Sequence, residues 1–286
     1  MRRFELLEPT SLREACELLA ADEGAKLIAG GTVLLILIKH GVFLPETLIN
    51  LKKVQGADEI SYDPARGLRL GALATIHQVE RASVVRAHYP LLAEACHVVA
   101  NVRIRNSATI GGNVAHGDYQ SDPPTALLAL ESRVELTSLQ GTRELPLDEF
   151  LLGTYETALA PGEVLSAVLV PPPPDMRGTY LKFTTRSSED RPTLGVAALV
   201  RQRDGVCEAA RLVIGAASPT PVRVWDAEAL AVGQPLGADL VQQMAAAAGA
   251  AIDPVDDLHG PADYKRHVAQ VLARRALTAC LDGEPP

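Results

Sequence analysis

Apolar positions in this chain follow two periods, which alternate in blocks. From Ser11 to Ala20 the residues Leu12, Ala15, Cys16, Leu18 and Leu19 fall on one face of a 3.6-residue repeat, which predicts an amphipathic helix. Thr10 or Ser11 caps it, and Glu14 stands where a reciprocal capping residue belongs. A strand over Ala25 to Ala29, a glycine turn, a helix over Thr32 to His40 and a strand over Thr47 to Asn50 then complete a small α/β unit. The longest apolar stretch, Leu27 to Ile38, contains two glycines and a threonine. It falls short of the roughly 18 residues that a membrane-spanning helix needs, so it reads as buried strand, turn and helix.

A second unit opens near Leu51. Strands at Glu59 to Tyr62 and Gly67 to Gly71 flank the turn Asp63-Pro64-Ala65-Arg66, and helices fit Ile76 to Ala82, Val84 to His88 and Pro90 to Val99. Pro123 and Pro124 open a helix over Thr125 to Leu130, followed by strands at Arg133 to Ser138, Thr142 to Pro146 and Val164 to Val170. Pro171 to Pro174 is a stiff extended run that can continue neither a helix nor a central strand. It marks a boundary, giving a first domain over 1–174, with subdomains of about 1–52 and 53–174, and a second over 175–286. Beyond it come strands at Gly178 to Thr185, Thr193 to Gln202 and Cys207 to Gly215, then helices at Asp226 to Val232, Ala238 to Ala251 and Ala262 to Leu281. Strands followed by helices make this an α+β arrangement.

Composition narrows the function classes. The chain has 286 residues, 47% apolar and 22% charged, with a formal charge of −8, which argues against binding a nucleic-acid backbone. Cys16, Cys96, Cys207 and Cys280 are scattered, with no C-x-x-C and no histidine at ligand spacing, so neither an iron–sulfur cluster nor a zinc site is expected. They read as reduced thiols of a cytoplasmic protein. Arg2 and Arg3 resemble the start of a signal peptide, but Glu5 and Glu8 occupy the place of its apolar core, so no secretion is expected.

The candidate chemistry lies in two glycine pairs, Ala29-Gly30-Gly31-Thr32 and Thr109-Ile110-Gly111-Gly112-Asn113, each read as following an apolar, strand-like run. Adjacent glycines bring bare backbone N–H groups to an anion that a side chain would exclude. The pairs therefore predict a nucleotide phosphate held from two sides. Absence of G-x-G-x-x-G speaks against a Rossmann site. In the second segment Gly111 and Gly112 are expected to supply backbone donors, and Ser107, Thr109 and Asn113 side-chain donors. Asp122, just before Pro123, is either the N-cap of the following helix or an acceptor for ribose hydroxyls or an adenine amine. His116 reads as a structural hydrogen-bonder, and no metal site and no catalytic side chain are predicted.

Together the two segments resemble the paired flavin-binding motifs of the medium, FAD-binding subunit in molybdenum hydroxylases, the group of the carbon monoxide dehydrogenase medium subunit and the xanthine dehydrogenase flavin domain. The resemblance continues through Gly178-Thr179-Tyr180-Leu181-Lys182-Phe183, Arg186 to Asp190, and Asp263-Tyr264-Lys265-Arg266-His267, covering essentially the whole chain. It implies an α+β protein: a two-subdomain FAD-binding domain of the vanillyl-alcohol-oxidase (PCMH) type, followed by a smaller α+β C-terminal domain. It further implies that Ala29, Gly30, Gly31, Thr32, Val33 and Leu34 meet the FAD pyrophosphate opposite Thr109, Ile110, Gly111, Gly112 and Asn113, with Asp122 at the ribitol or adenosine end. Tyr180 or Lys182 would approach the flavin ring, although Tyr180 is equally a core residue and Lys182 equally an exposed strand lysine. A cation there would stabilise the reduced ring. One departure is Val33, where the family often carries a polar residue, so a side-chain contact is lost.

The resemblance implies an electron-transfer subunit of a heterotrimer. A large subunit would hold molybdopterin and a small subunit two [2Fe-2S] clusters, and this chain's FAD would pass electrons to an external acceptor, the complex forming a dimer of heterotrimers. Two other readings remain open at this level. One is a self-sufficient FAD oxidase of the same fold, for which the C-terminal portion is short; the other is an interaction protein that kept the fold and lost FAD.

Overall fold

The computed structural model describes residues 3–282. Its first unit holds β1 (Glu5–Leu7), α1 (Leu12–Ala21), β2 (Lys26–Ile28), α2 (Leu34–Lys39) and β3 (Thr47–Asn50), with the strands forming a parallel sheet in the order β1-β3-β2. Strand β1 has no counterpart in the sequence reading: three half-exposed residues give no periodicity, and only their pairing with Thr47, Leu48 and Ile49 of β3 defines it. Helix α1 starts as expected, since the Ser11 hydroxyl accepts from the Glu14 N–H. Glu14 reaches back one residue further, to the Thr10 N–H at 2.7 Å. Thr32 and Val33 belong to the turn rather than to α2, which begins at Leu34 with no side-chain cap.

The second unit begins with β4 (Ile60–Asp63) and β5 (Gly67–Gly71) and runs through six helices: α3 (Ile76–Arg81), α4 (Ser83–His88), α5 (Pro90–His97), α6 (Val102–Arg105), α7 (Ile110–His116) and α8 (Asp122–Ala129). It continues with β6 (Arg133–Ser138), β7 (Gly141–Pro146), α9 (Leu147–Phe150), β8 (Leu151–Gly153), β9 (Glu156–Thr157) and β10 (Val164–Val170). Five of its strands form an antiparallel sheet in the order β4-β5-β10-β6-β7. The expected turn at the second glycine pair is instead the first turn of α7, and helix α6, not a strand, precedes it. Thr109 caps α7 by accepting from the Gly112 N–H.

After the proline run come β11 (Arg177–Phe183), β12 (Leu194–Arg203), β13 (Val206–Gly215) and β14 (Val222–Arg223), an antiparallel sheet in that order. Helices α10 (Trp225–Ala231), α11 (Ala238–Ala251) and α12 (Ala262–Asp282) complete the chain. Strand β12 begins with the unbroken run Leu194-Gly195-Val196-Ala197-Ala198-Leu199-Val200, the signature of a strand buried on both faces. Ala197 and Leu199, with Val213 and Tyr180, belong to the core of the second unit, whereas Val196, Ala198 and Val200 belong to the core beneath α11 and α12. The sheet therefore seals two cores at once.

Candidate functional site

A cleft of about 1300 Å³ opens between the first unit, the second unit and β11. That exceeds the roughly 300–1,000 Å³ of ordinary small-molecule sites and suits a dinucleotide-sized ligand. All six residues from Ala29 to Leu34 line it, as do Thr109, Gly111, Gly112, Asn113, Asp122 and Lys182. Ser107, Ile110 and Tyr180 do not. Ser107 stitches the walls together, its hydroxyl donating to the Gly30 carbonyl at 3.0 Å. Ile110 is fully buried in the core, and Tyr180 is 5% exposed.

The glycines divide the work differently from the sequence expectation. Gly111 donates its N–H to the Ala72 carbonyl at 2.9 Å, and Gly112 donates to the Thr109 hydroxyl at 3.1 Å, so neither N–H is free for a ligand. Gly111 is required by packing, since a Cβ there would lie 2.7 Å from the Ala72 Cα. Gly112 is exposed to the cleft, and beyond the cap of its own helix a Cβ would meet only Ala29, at 3.9 Å. Free donors come from the first motif: among the described residues, no hydrogen bond uses the N–H groups of Gly31, Thr32, Val33 or Leu34. Gly31 makes this possible by adopting φ +70°, which turns the chain from β2 into α2 with its amides bare. Val33 thus retains a backbone donor although its side chain offers none.

Asp122 is not the N-cap of α8. Ser121 holds that position without a side-chain capping bond, and Asp122 is the first helical residue, 3% exposed. Its carboxylate accepts from the Tyr180 hydroxyl at 2.8 Å and from the Lys182 ammonium at 3.1 Å. Burial pushes Asp122 up to about 6, against the pull of Lys182 and Tyr180. Lys182 is no exposed strand lysine: its side chain is 6% exposed, and it also donates to the Val98 carbonyl at 2.8 Å. That carbonyl belongs to a tight turn in which Ala100, at the cleft, adopts φ +40°. Asn113 accepts from the Ser121 hydroxyl at 2.9 Å, which leaves its amide NH₂ as a donor.

His116 departs from the expected structural role. Its Nε2 is buried without a partner among the described residues, in a ring that lines the cleft beside Tyr155. Burial lowers its pKa, against the pull of Asp118, and so favours the neutral ring. Nearby, Arg191 pairs with Asp118 at 3.1 Å, and both line the cleft. Seventy-odd residues separate these partners, so no local pattern announces them. An orphan ring nitrogen, bare backbone amides, an exposed glycine and a buried lysine together fit a large, polar, anionic ligand such as FAD.

The comparisons decide the family. Residues 2–173 match the FAD binding domain in molybdopterin dehydrogenase, and residues 179–280 match the CO dehydrogenase flavoprotein C-terminal domain. The chain belongs to this FAD-binding family. It is 34% identical to the carbon monoxide dehydrogenase medium chain of Hydrogenophaga pseudoflava, over 97% of this chain and 96% of that one. It is 33% identical to the nicotine 6-hydroxylase medium subunit of Paenarthrobacter nicotinovorans, over 94% of each. Among solved structures, quinoline 2-oxidoreductase from Pseudomonas putida 86 superposes with a TM-score of 0.95 at 29% identity, covering 99% of this chain and 98% of its own. The protein is thus an FAD-binding medium subunit of the molybdenum hydroxylase type, an oxidoreductase component. Among its described residues no cluster of histidine, cysteine and acidic side chains could hold a metal, and no helix is long and apolar enough to cross a membrane. All four cysteines are buried, and burial raises each thiol, Cys280 to about 12.

Proposed function

We propose that this subunit carries electrons from the [2Fe-2S] centres of a small partner through FAD to an external acceptor, while a large partner oxidises substrate at molybdopterin. The medium-subunit relatives and the scattered, buried cysteines support this division of labour. The assembly we favour is a cytoplasmic dimer of heterotrimers, which the mass of the co-expressed complex would test. The division of the chain follows the proline run, with FAD held by residues 1–174 and completed by β11 of residues 175–286.

The observation that carries the reading is the row of bare amides from Gly31 to Leu34 facing the cleft. These N–H groups bind the pyrophosphate, and the Asn113 amide and Thr109 hydroxyl meet it from α7, with Gly112 giving room for close approach. Ser107, Ile110, Gly111 and Tyr180 act from behind, fixing the walls. Lys182 presents a cation to the ring end of the ligand, and the unpaired His116 nitrogen gains a partner there. FAD, when bound, supplies the interconversion between one-electron and two-electron carriers. The full chain should purify with flavin absorption. Gly112→Leu should lose it while still folding as the apoprotein, at a somewhat lower melting temperature because a Cβ there would stand 2.8 Å from the capping Thr109 hydroxyl. Flavin retained at wild-type level in that variant would refute the assignment of this wall.

A further inference from the structure

Beneath the ring end of the cleft, one carboxylate is shared by two donors on alternate residues of a single strand. Tyr180 and Lys182 both reach Asp122 from β11, at 2.8 and 3.1 Å, while Asp122 itself sits on α8. All three side chains are nearly closed to solvent, yet Asp122 and Lys182 border the cleft. The arrangement is pinned from behind, because Gly195 on β12 leaves the only room for the Tyr180 hydroxyl and any Cβ there would overlap it. Few other titratable groups face the carboxylate. From α5 come the buried Cys96 thiol and the half-buried Glu94 carboxyl, which accepts from the Tyr180 N–H at 2.9 Å and is raised by burial, and α8 carries no second charged residue.

A bound anion that gains negative charge beside this cluster changes its charge balance. With Asp122 ionised, the Lys182–Asp122 pair is neutral overall and offers little compensation. With Asp122 protonated, the lysine stands as a net cation. Two added electrons therefore favour the protonated acid, by the same electrostatics that lift a carboxyl beside a like charge.

We propose that Asp122, positioned by Tyr180 and Lys182, takes up one proton from solvent when the cofactor in the cleft has accepted two electrons, delivered one at a time by reduced iron–sulfur centres of a partner subunit. The inference rests on the reading that the cleft holds FAD. The balance is two electrons to the cofactor, whatever protons its own ring nitrogens bind, and one further proton forming an O–H bond on an Asp122 oxygen. On reoxidation that bond breaks and the proton returns to solvent. Asp122 thereby sets the net charge beside the cleft, and the Lys182 ammonium goes uncompensated only when Asp122 is protonated.

The test is redox titration of the FAD-loaded full chain between pH 5.5 and 8.5, for wild type, Asp122→Asn and Tyr180→Phe, with flavin content fixed beforehand from the visible spectrum. Each proton taken up with two electrons adds about 30 mV per pH unit to the slope of the midpoint potential. Wild type should show one such increment over Asp122→Asn in a window that opens near pH 6. Tyr180→Phe removes a donor that favours the ionised carboxylate, so its window should move to higher pH. Reduced-minus-oxidised infrared spectra should show a protonated-carboxyl band in wild type that Asp122→Asn lacks. Equal slopes with FAD bound in both proteins, and no such band, would overturn the proposal. If Asp122→Asn sheds its flavin, Tyr180→Phe decides: a displaced window supports the proposal and an undisplaced one overturns it. A wild-type chain that never binds flavin overturns the FAD reading instead.

Discussion

At the scale of single residues, the two glycine motifs serve one cleft by different means. The first exposes amides, while the second uses its missing side chains to pack and to leave space. Both motifs are visible as sequence; which glycine does which is not, because it depends on Ala72 and Ser107, residues distant in the chain that approach only after folding. Gly30 is the sharpest case: a Cβ there would overlap the Ser107 carbonyl behind the cleft wall. Gly30→Ala should destabilise the apoprotein by about 1–3 kcal/mol, the usual cost of overpacking, in urea unfolding. Asp122 gives a prediction in pH. Its folded pKa of about 6 lies above the ordinary 3.8, so the folded state binds the proton more tightly and stability falls as pH rises between those values. Wild type should therefore lose stability relative to Asp122→Asn between pH 4 and pH 6.5. A difference that grows in the other direction would show the carboxylate to be stabilised by its ion pair beyond the cost of burial. Lys182 itself was legible only through family resemblance, since its burial is decided by partners in the turn after α5 and on α8.

Among elements, strong periodicity translates directly into structure, as α1 and the unbroken apolar run of β12 show. The failures are short elements whose existence depends on partners. Strand β1 needs β3, and α6 needs Asn101, whose side-chain oxygen accepts from the N–H groups of Arg103 and Ile104. The start of α7 is likewise masked in sequence, because a Gly-Gly step suggests a turn, and only the Thr109 cap and the packing of Gly111 hold it helical. Helix α3 supports that region from the other side. Thr75 and Gln78 form a reciprocal capping box, and Thr75 bridges to Thr109 at the head of α7. Thr75→Ala should cost about 1 kcal/mol through the cap, read as a lowered denaturation midpoint with unchanged slope. A change below the error of that measurement would assign the segment's order to the Thr75–Thr109 backbone bridge alone.

Across the whole molecule, the proline run divides the sequence more cleanly than it divides the packing. Its own backbone is anchored, since the Tyr89 hydroxyl donates to the Pro171 carbonyl at 2.9 Å. Ala197, Leu199, Val213 and Tyr180, all beyond the run, complete the core of the second unit, and Arg211 and Arg223 reach across to Glu131. A fragment over residues 1–174 should consequently lack a cooperative thermal transition, whereas the full chain shows one. A sharp transition in the fragment would mean that α5 and α8 close their core without the C-terminal sheet. The four cysteines, buried and raised in pKa by that burial, bear on how the assembled protein can be observed. A folded chain with so little thiolate at its surface should be silent to maleimide dyes at neutral pH. A single cysteine placed at the fully exposed Leu258 would then react alone. Such a site offers a one-colour label for following docking of the partner subunits by fluorescence, with no native residue removed to make it.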